Sequence, residues 1–359
     1  MLSLSENLYF MKKSIFTALQ YVFFIGLGIL FVWLAVRDIT PRDWADIKYA
    51  LSHARHWLII PVVIIILISH YSRALRWKIL IEPLGYHPST FNTWAAVMIG
   101  YMVNAGVPRL GEVVKCTILA KYENIRADRL VGTIVVERAF DLICLIIVFL
   151  LALLFQGHIV GEYLSELFGN FINNNSSKTS GNRLILISAI IVVLLAFLFF
   201  ILKRFGNINA VKKVKGVIKG IGLGLGSIRH IHNKGWFFFH TFLIWTMYFL
   251  GTTMGLYALH ETDHLGLQAG LTTLVVGSIG MIITPGGIGA YPLLVARLME
   301  AYGLDMKTTG MALGWLLWTV QTIIILGSGL IFTALLSPYN KNKTKKENYE
   351  DQLTDMEQI

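Results

Sequence analysis

The chain is dominated by apolar stretches, nearly free of charge, each long enough to cross about 30 Å of hydrocarbon. Residues 14–36 form the first, and 57–72 begin a second that runs on toward Ile81. The third, 131–155, holds three charged residues near its start, and 184–202, 235–259 and 308–336 complete the series. In lipid every backbone polar group must be satisfied within the protein, so runs of this length are read as helices. With 55% hydrophobic and only 14% charged residues in 359, the chain is far from a soluble domain, which is about one quarter charged. Disorder is excluded too, because it needs low hydrophobicity and high charge. The expectation is an all-α polytopic membrane protein.

Two further apolar stretches are broken. Residues 91–108 end in Ala105-Gly106-Val107-Pro108 and run straight into Arg109-Leu110-Gly111-Glu112. Residues 265–296 are uncharged but cut by Pro285-Gly286-Gly287, where Pro lacks the N–H and Gly carries the largest entropy penalty in a helix. The loops set the sidedness. Residues 203–234 carry eight Lys or Arg and no acidic residue, and the positive-inside rule places them in the cytoplasm with Lys12, Lys13 and the lysine-rich tail. The loops around Glu162 and Glu166, and around Glu261 and Asp263, lack that excess and read as outside. Parity then makes 91–121 and 265–302 each return to its own side, either as a re-entrant hairpin or as two short spans. The favoured arrangement is about six full spans plus two re-entrant helical hairpins, with both termini cytoplasmic. Each half reads span, span, hairpin, span from opposite sides, an inverted-topology repeat of the kind secondary transporters use.

The net charge of +10 is assigned to cytoplasmic loops facing anionic lipid; no basic soluble module is present to bind nucleic acid. Cys116 and Cys144 lie in or beside apolar helices and imply neither a disulfide framework nor a metal site. Residues 6–10 read ENLYF, similar to part of a viral-protease site, and Met11-Lys12-Lys13 makes a natural start. Residues 1–10 are therefore set aside as a tag or leader remnant, 11–336 are the integral membrane domain, and 337–359 a charged cytoplasmic tail.

Irregular backbone at membrane depth survives only where protein buries it or a wet cavity meets it. Both breaks thus point to a cavity around 104–112 and 284–291; shallow interfacial loops are the alternative. Charges in the spans sharpen this reading. Arg109, Glu112 and Lys115 fall at i, i+3, i+6, and Glu137 and Asp141 sit one turn apart with Arg138 beside them. Intramembrane charges are costly and normally paired, so they serve either a substrate or simple neutralisation, Arg138 and Glu137 balancing Glu112 and Arg109. Arg73, Arg76 and Lys78 make a basic ridge beside Trp77, in which Lys78 anchors the helix end and Arg73 lies deeper. The segment 211–231 alternates Val and Ile with four lysines, suiting an anionic membrane surface. His260-Glu261-Thr262-Asp263-His264 fits the H-E-x-x-H zinc signature, but no third ligand follows, as a catalytic zinc requires. An intramembrane zinc protease is thus the remote alternative.

Four motifs, in order, carry a resemblance: RALRWKILIEPLGY (73–86), GYMVNAGVPRLGEVVKCTILA (100–120), VVERAFD (135–141) and TPGGIGAYP (284–292). Together they resemble the lysylphosphatidylglycerol synthase transmembrane region, or flippase-like domain family, across nearly all of 12–336. The same domain fronts the multiple peptide resistance factor, where it moves aminoacylated phosphatidylglycerol between leaflets while a separate soluble domain performs aminoacyl transfer. The resemblance implies lipid handling, and with only a short tail after the last span it implies no synthase or other enzyme activity and no cofactor. By motif it assigns substrate-side roles to Arg73, Arg76, Asn104, Arg109, Glu112, Lys115, Glu137, Arg138, Asp141 and Tyr291. It assigns backbone or hinge roles to Pro108, Gly111, Pro285, Gly286, Gly287 and Gly289. Lys115-Cys116 departs from relatives that place Arg there; the charge survives but not fork-like phosphate binding. The expected function is translocation of an anionic or phosphate-bearing membrane lipid, a phosphatidylglycerol derivative or a polyprenyl-phosphate-linked carrier, across the cell (inner) membrane. The alternative is a non-transporting partner that presents lipid to a separate transferase; a homo-oligomer is also compatible.

Overall fold

A computed structural model describes residues 26–107, 109–172, 231 and 233–357. The leader, the first half of the 14–36 stretch, Pro108, the 184–202 stretch and nearly all of the basic 203–234 loop, including the 211–231 segment up to residue 230, lie outside the described residues. The described residues are helical throughout, with no strand. The chain enters at α1 (Gly26–Val36) and turns into α2 (Pro41–Ser52), a short polar helix. Thr40 caps α2: its hydroxyl accepts from the Asp43 amide while the Asp43 carboxylate accepts from the Thr40 amide, and Pro41 pre-sets the first turn.

Helix α3 (Ile59–Ile81) changes character along its length. Ile60, Ile64 and Ile68 point outward, whereas from Ser69 onward nearly every residue is buried, including Arg73 and Arg76. The first broken stretch forms α4 (Thr90–Gly106) and α5 (Leu110–Glu123), packed against each other. At 17 and 14 residues they are about 25 and 21 Å long. Their close approach rests on facing glycines: a side-chain carbon at Gly111 would overlap the Gly100 carbonyl and come within 2.8 Å of the Asn104 carboxamide oxygen. That oxygen instead accepts the Gly111 amide at 2.8 Å, satisfying one of the donors a helix start leaves free.

The third stretch lies inside a far longer helix, α6 (Ala127–Ile172). Beyond it come α7 (Lys234–Leu256), aromatic-rich and matching the fifth stretch, then α8 (Gly266–Ile283) and α9 (Ala290–Ala301), which flank the second break. A π-helical turn, Met306–Gly310, leads into α10 (Met311–Glu357), which continues through the charged tail. Four helical segments among the described residues are long and apolar enough to cross a membrane: His56–Leu84, Ala127–Leu164, Asp263–Ile283 and Met306–Lys341. One of these, Asp263–Ile283, is the first arm of the second broken stretch. Outward-facing Ile146, Leu150, Leu154, Phe239, Phe242, Ile323 and Leu330 surround the bundle with apolar side chains, a surface suited to lipid and not to water.

Among the described residues three apolar cores hold the bundle. One joins α3, α4, α5 and α6 around Trp77, Leu119 and Leu130; another joins α8, α9 and the start of α10 around Val295, Leu298 and Met299; the third sets Met98 and Ile99 of α4 with Phe332 and Leu336 of α10. The two breaks meet each other. A side-chain carbon at Gly286 would lie 2.9 Å from the Ala105 carbonyl oxygen, and Trp318 Nε1 donates to the Gly286 carbonyl at 2.8 Å. Gly289 packs against the α1 backbone at Phe31 and Val32.

Gly111→Ala should destabilise the protein by about 1–3 kcal/mol, the usual cost of overpacking. Gly106→Ala, where nothing lies within 4 Å, should be neutral or slightly stabilising. Thermal unfolding of both in detergent checks the pair.

Candidate functional site

Helical spacing brings the charges together. Arg73 and Arg76 share one face of α3, and Glu137 and Asp141 share one face of α6, so two cations oppose two carboxylates along parallel stripes. Arg73 Nη1 lies 2.8 Å from Glu137 Oε1 and 2.7 Å from Asp141 Oδ2, and its Nη2 donates to the Tyr248 hydroxyl at 3.0 Å. Arg76 Nη2 reaches Asp141 Oδ1 at 2.8 Å. Lys115, from α5, closes the set on Glu137 Oε2 at 2.8 Å and lies 4.5 Å from the centre of the Trp77 ring. Trp77 Nε1 donates to Thr133 at 2.8 Å, tying α3 to α6 on the same level. Arg73, Arg76, Lys115 and Glu137 are all buried.

Arg138 is held differently. Its Nε is 3.2 Å from Glu112 Oε1, while its contacts to Glu137 and Asp141 stretch to 3.7 and 3.8 Å, and its side chain is 42% exposed. Arg138 thus neutralises Glu112 across the bundle, but Glu137 goes to Lys115 and Arg73 and not to Arg109. The cluster as a whole sets four cations against three carboxylates.

A cavity of about 430 Å³ opens onto this cluster. Its charged end is formed by Arg73, Arg138 and Asp141 with His70, Tyr101 and Tyr248; Arg55 and His56 lie at its other end, and its walls are mostly apolar. From His56 to His70 the α3 axis rises about 20 Å. Of the residues expected from sequence, Arg73, Arg138, Asp141 and Tyr291 line this cavity, while Arg76, Glu112, Lys115 and Glu137 support it from behind.

The rest sit elsewhere. Asn104 and Gly111 hold the α4–α5 junction together. Arg109 stands exposed on the turn at φ 65°, a left-handed conformation costly for a residue with a side chain, and forms no ion pair among the described residues. Pro285, Gly286, Gly287 and Gly289 build the second break, whose three glycines have φ of 58°, 74° and 70°, a path that L side chains avoid. Lys78 donates to Thr90 at 2.7 Å and secures the end of α3.

Sequence reasoning missed His70, Trp245, Tyr248 and Gln321, all in the cavity wall. They are isolated polar residues in apolar helices; the one available signal was that His70 precedes Arg73 by a single turn.

The H-E-x-x-H match does not form a helix face. His260 and Glu261 lie in a turn and Asp263–Leu265 is a single 3₁₀ turn. Arg55 occupies the spot, donating to Asp263 at 2.7 Å and to His260 Nδ1 at 3.1 Å. Among the described residues no three His, Cys, Asp or Glu converge as a metal site.

Comparison with known proteins places this arrangement. The profile of the lysylphosphatidylglycerol synthase transmembrane region matches residues 19–329. The chain belongs to that family. A UPF0104 membrane protein of Methanocaldococcus jannaschii is 32% identical over 98 residues, covering 26% of this chain and 29% of the relative, so the chain spans less than a third of that protein's length in the match. No solved structure matches the chain. As a member of the lysylphosphatidylglycerol synthase transmembrane family, the protein is a membrane protein, and the matched region contains the whole charge cluster and cavity.

Removing one partner of a buried ion pair leaves an uncompensated charge, which costs about 3–5 kcal/mol. Glu137→Gln should therefore destabilise strongly, and Glu137→Gln with Lys115→Met should recover part of the loss. A double-mutant cycle on detergent melting temperatures measures this coupling.

Proposed function

We propose that this protein is a lipid translocase, moving an anionic or phosphate-bearing lipid between leaflets of the cell membrane with both termini cytoplasmic. The observation that carries the reading is a mostly apolar cavity ending at an ion cluster with one cation in excess and a half-exposed guanidinium, Arg138. A lipid phosphate meets the surplus charge while its tails remain against the apolar walls, so the head is never left bare in hydrocarbon. Arg73 and Arg76, each clamped by carboxylates, fix the field; Arg138, with longer contacts, can turn toward a phosphate and bind it as a fork. Glu112, Glu137 and Asp141 hold the cations in place and are the groups available to exchange protons during turnover.

On this reading α4–α5 and α8–α9 are re-entrant hairpins entering from opposite sides within about six spans, related as an inverted repeat. The lengths of α4, α5 and α9, all short of the bilayer, and the meeting of the two breaks at Ala105 and Gly286 support that arrangement. Arg109, exposed at the tip of the first hairpin, offers the passing head group a second cation. The protein acts as a carrier and not as an enzyme, with no cofactor.

In liposomes holding fluorescent anionic lipids, scored by quencher access to the head group, Arg138→Ala should slow exchange about 10- to 100-fold, the loss of one or two charge-assisted hydrogen bonds. Arg138→Lys should fall between, and Arg109→Ala should also slow exchange. Arg126→Ala, which removes only an exposed pair with Asp128, should leave it unchanged. Full exchange in folded Arg138→Ala and Arg109→Ala would move the site elsewhere. Binding without exchange in the wild type would instead assign the protein as a partner presenting lipid to a separate transferase.

A further inference from the structure

The imidazole at the charged end of the cavity, His70, is uncommitted. It is buried to 4% exposure and packs on the Tyr101 ring with centroids 4.6 Å apart. Neither ring nitrogen makes a hydrogen bond among the described residues; Nδ1 is fully covered while Nε2 is not, which leaves Nε2 to meet the cavity. A buried polar nitrogen without a partner is costly. Imidazole is also the side chain whose ordinary titration falls between about pH 5 and 8.

The groups that face His70 determine what a proton on it meets. On its own helix Arg73 follows one turn later. From α4 comes Tyr101, whose ring centre also lies 5.6 Å from the Arg73 guanidinium. From α6 come Arg138 and Asp141 with Glu137 behind them, and from α7 come Tyr248 and His240, the latter already paired with the Ser72 hydroxyl at 2.9 Å. The apolar part of α10, residues 311–336, brings no titratable group. Both Asp141 oxygens are held by Arg73 and Arg76, both Glu137 oxygens by Arg73 and Lys115, and Glu112 by Arg138. Every carboxylate of the cluster is thus engaged, and a proton on Nε2 by itself adds positive charge where one cation is already in excess. An anion held by Arg138 reverses that balance, because it brings the negative charge that the cluster lacks.

We propose that His70 takes up a proton when an anionic head group enters the cavity and returns it when the head leaves, so that anion and proton bind together. The N–H bond at Nε2 forms as an O–H bond of hydronium at the cavity mouth breaks, and the reverse step gives the proton back to water as the head departs. Protonated imidazole then offers the anion a charge-assisted hydrogen bond beside Arg138. A singly charged phosphodiester and one proton sum to zero, so the pair crosses without working against the membrane potential, and a pH difference across the membrane drives it. The inference rests on the lipid-translocase reading above and deepens it: it names a coupling ion and adds to the clamped carboxylates a proton site that no cation occupies.

The test is binding of fluorescent phosphatidylglycerol, whose phosphodiester keeps its single charge throughout, to the purified full chain in detergent. Because the occupied site holds more protons than the free one, affinity should rise as pH falls from about 8 to about 6, by up to about tenfold per pH unit for one proton. Adding the lipid to a weakly buffered sample should also draw protons from solution, read with a pH indicator and approaching one per lipid bound. His70→Gln and His70→Phe, the second keeping a ring against Tyr101, should bind the lipid with an affinity independent of pH and with no uptake. His264→Gln, on an exposed turn, should keep the wild-type slope. The wild type alone decides whether anion and proton are coupled, and the variants locate the proton. Flat wild-type affinity with no uptake overturns the coupling while leaving lipid handling in place. A slope that persists in either folded His70 variant overturns the role of His70. No binding of the lipid at any pH overturns the coupling and the lipid-translocase reading together.

Discussion

The structure depends on the pairing of Arg73 and Arg76 with Glu137 and Asp141. A lone charge at this depth is not tolerated, so the four side chains must meet, and their meeting fixes the axial register of α3 against α6. Lys115 extends the constraint to α5, and Trp77 fills the space between them while bonding Thr133. Apolar packing between membrane helices has little register preference of its own, because lipid tails serve almost as well as partners. The polar contacts supply that specificity. They also explain why the buried half of α3 is its polar half, the reverse of a soluble helix.

The second constraint is close approach of backbone. Gly100 against Gly111, Gly286 against Ala105 and Gly289 against Phe31 and Val32 are contacts that any side chain would block. They concentrate at the two breaks, where irregular backbone must be enclosed by protein, and the Gly286 carbonyl and Gly111 amide are indeed satisfied by Trp318 and Asn104. Ion cluster and glycine contacts thus act on the same elements: α5 begins at one break and carries Lys115 and Glu112 to the cluster.

Much of this was legible in the sequence because it follows from periodicity. The stretches at 57–81, 131–155, 235–259 and 308–336 each fall within or over one helix, both breaks fall at the Pro and Gly residues, and i, i+3 and i, i+4 spacing foretold that Glu112 shares a face with Lys115 and Glu137 with Asp141, though Arg109, just outside α5, does not join them. Pairing partners were less accessible: spacing along one helix says nothing about rotation against another, so Glu137 could be matched with Arg109 on paper while Lys115 takes it in space. The breaks read as a single site, yet Gly286 and Gly289 pack into the junction, and of the second motif it is Tyr291 that lines the cavity. Gln321 and Trp245 left no trace, since one amide or indole in an apolar run has no pattern to mark it.

Geometry also divides the cluster into fixed and exchangeable parts. Arg73, Arg76 and Lys115 each hold a carboxylate at 2.8 Å or less and are buried; displacing any of them exposes an unpaired charge to low dielectric, where attraction is strongest. Arg138 is half exposed, with its nearest carboxylate at 3.2 Å, so exchanging Glu112 for another anion costs far less. A site arranged this way keeps its field while one arm changes partner. That combination suits a protein that must hold a charged head and then release it, because binding that engaged the whole cluster would be too tight to leave and binding without the fixed part too weak to enter.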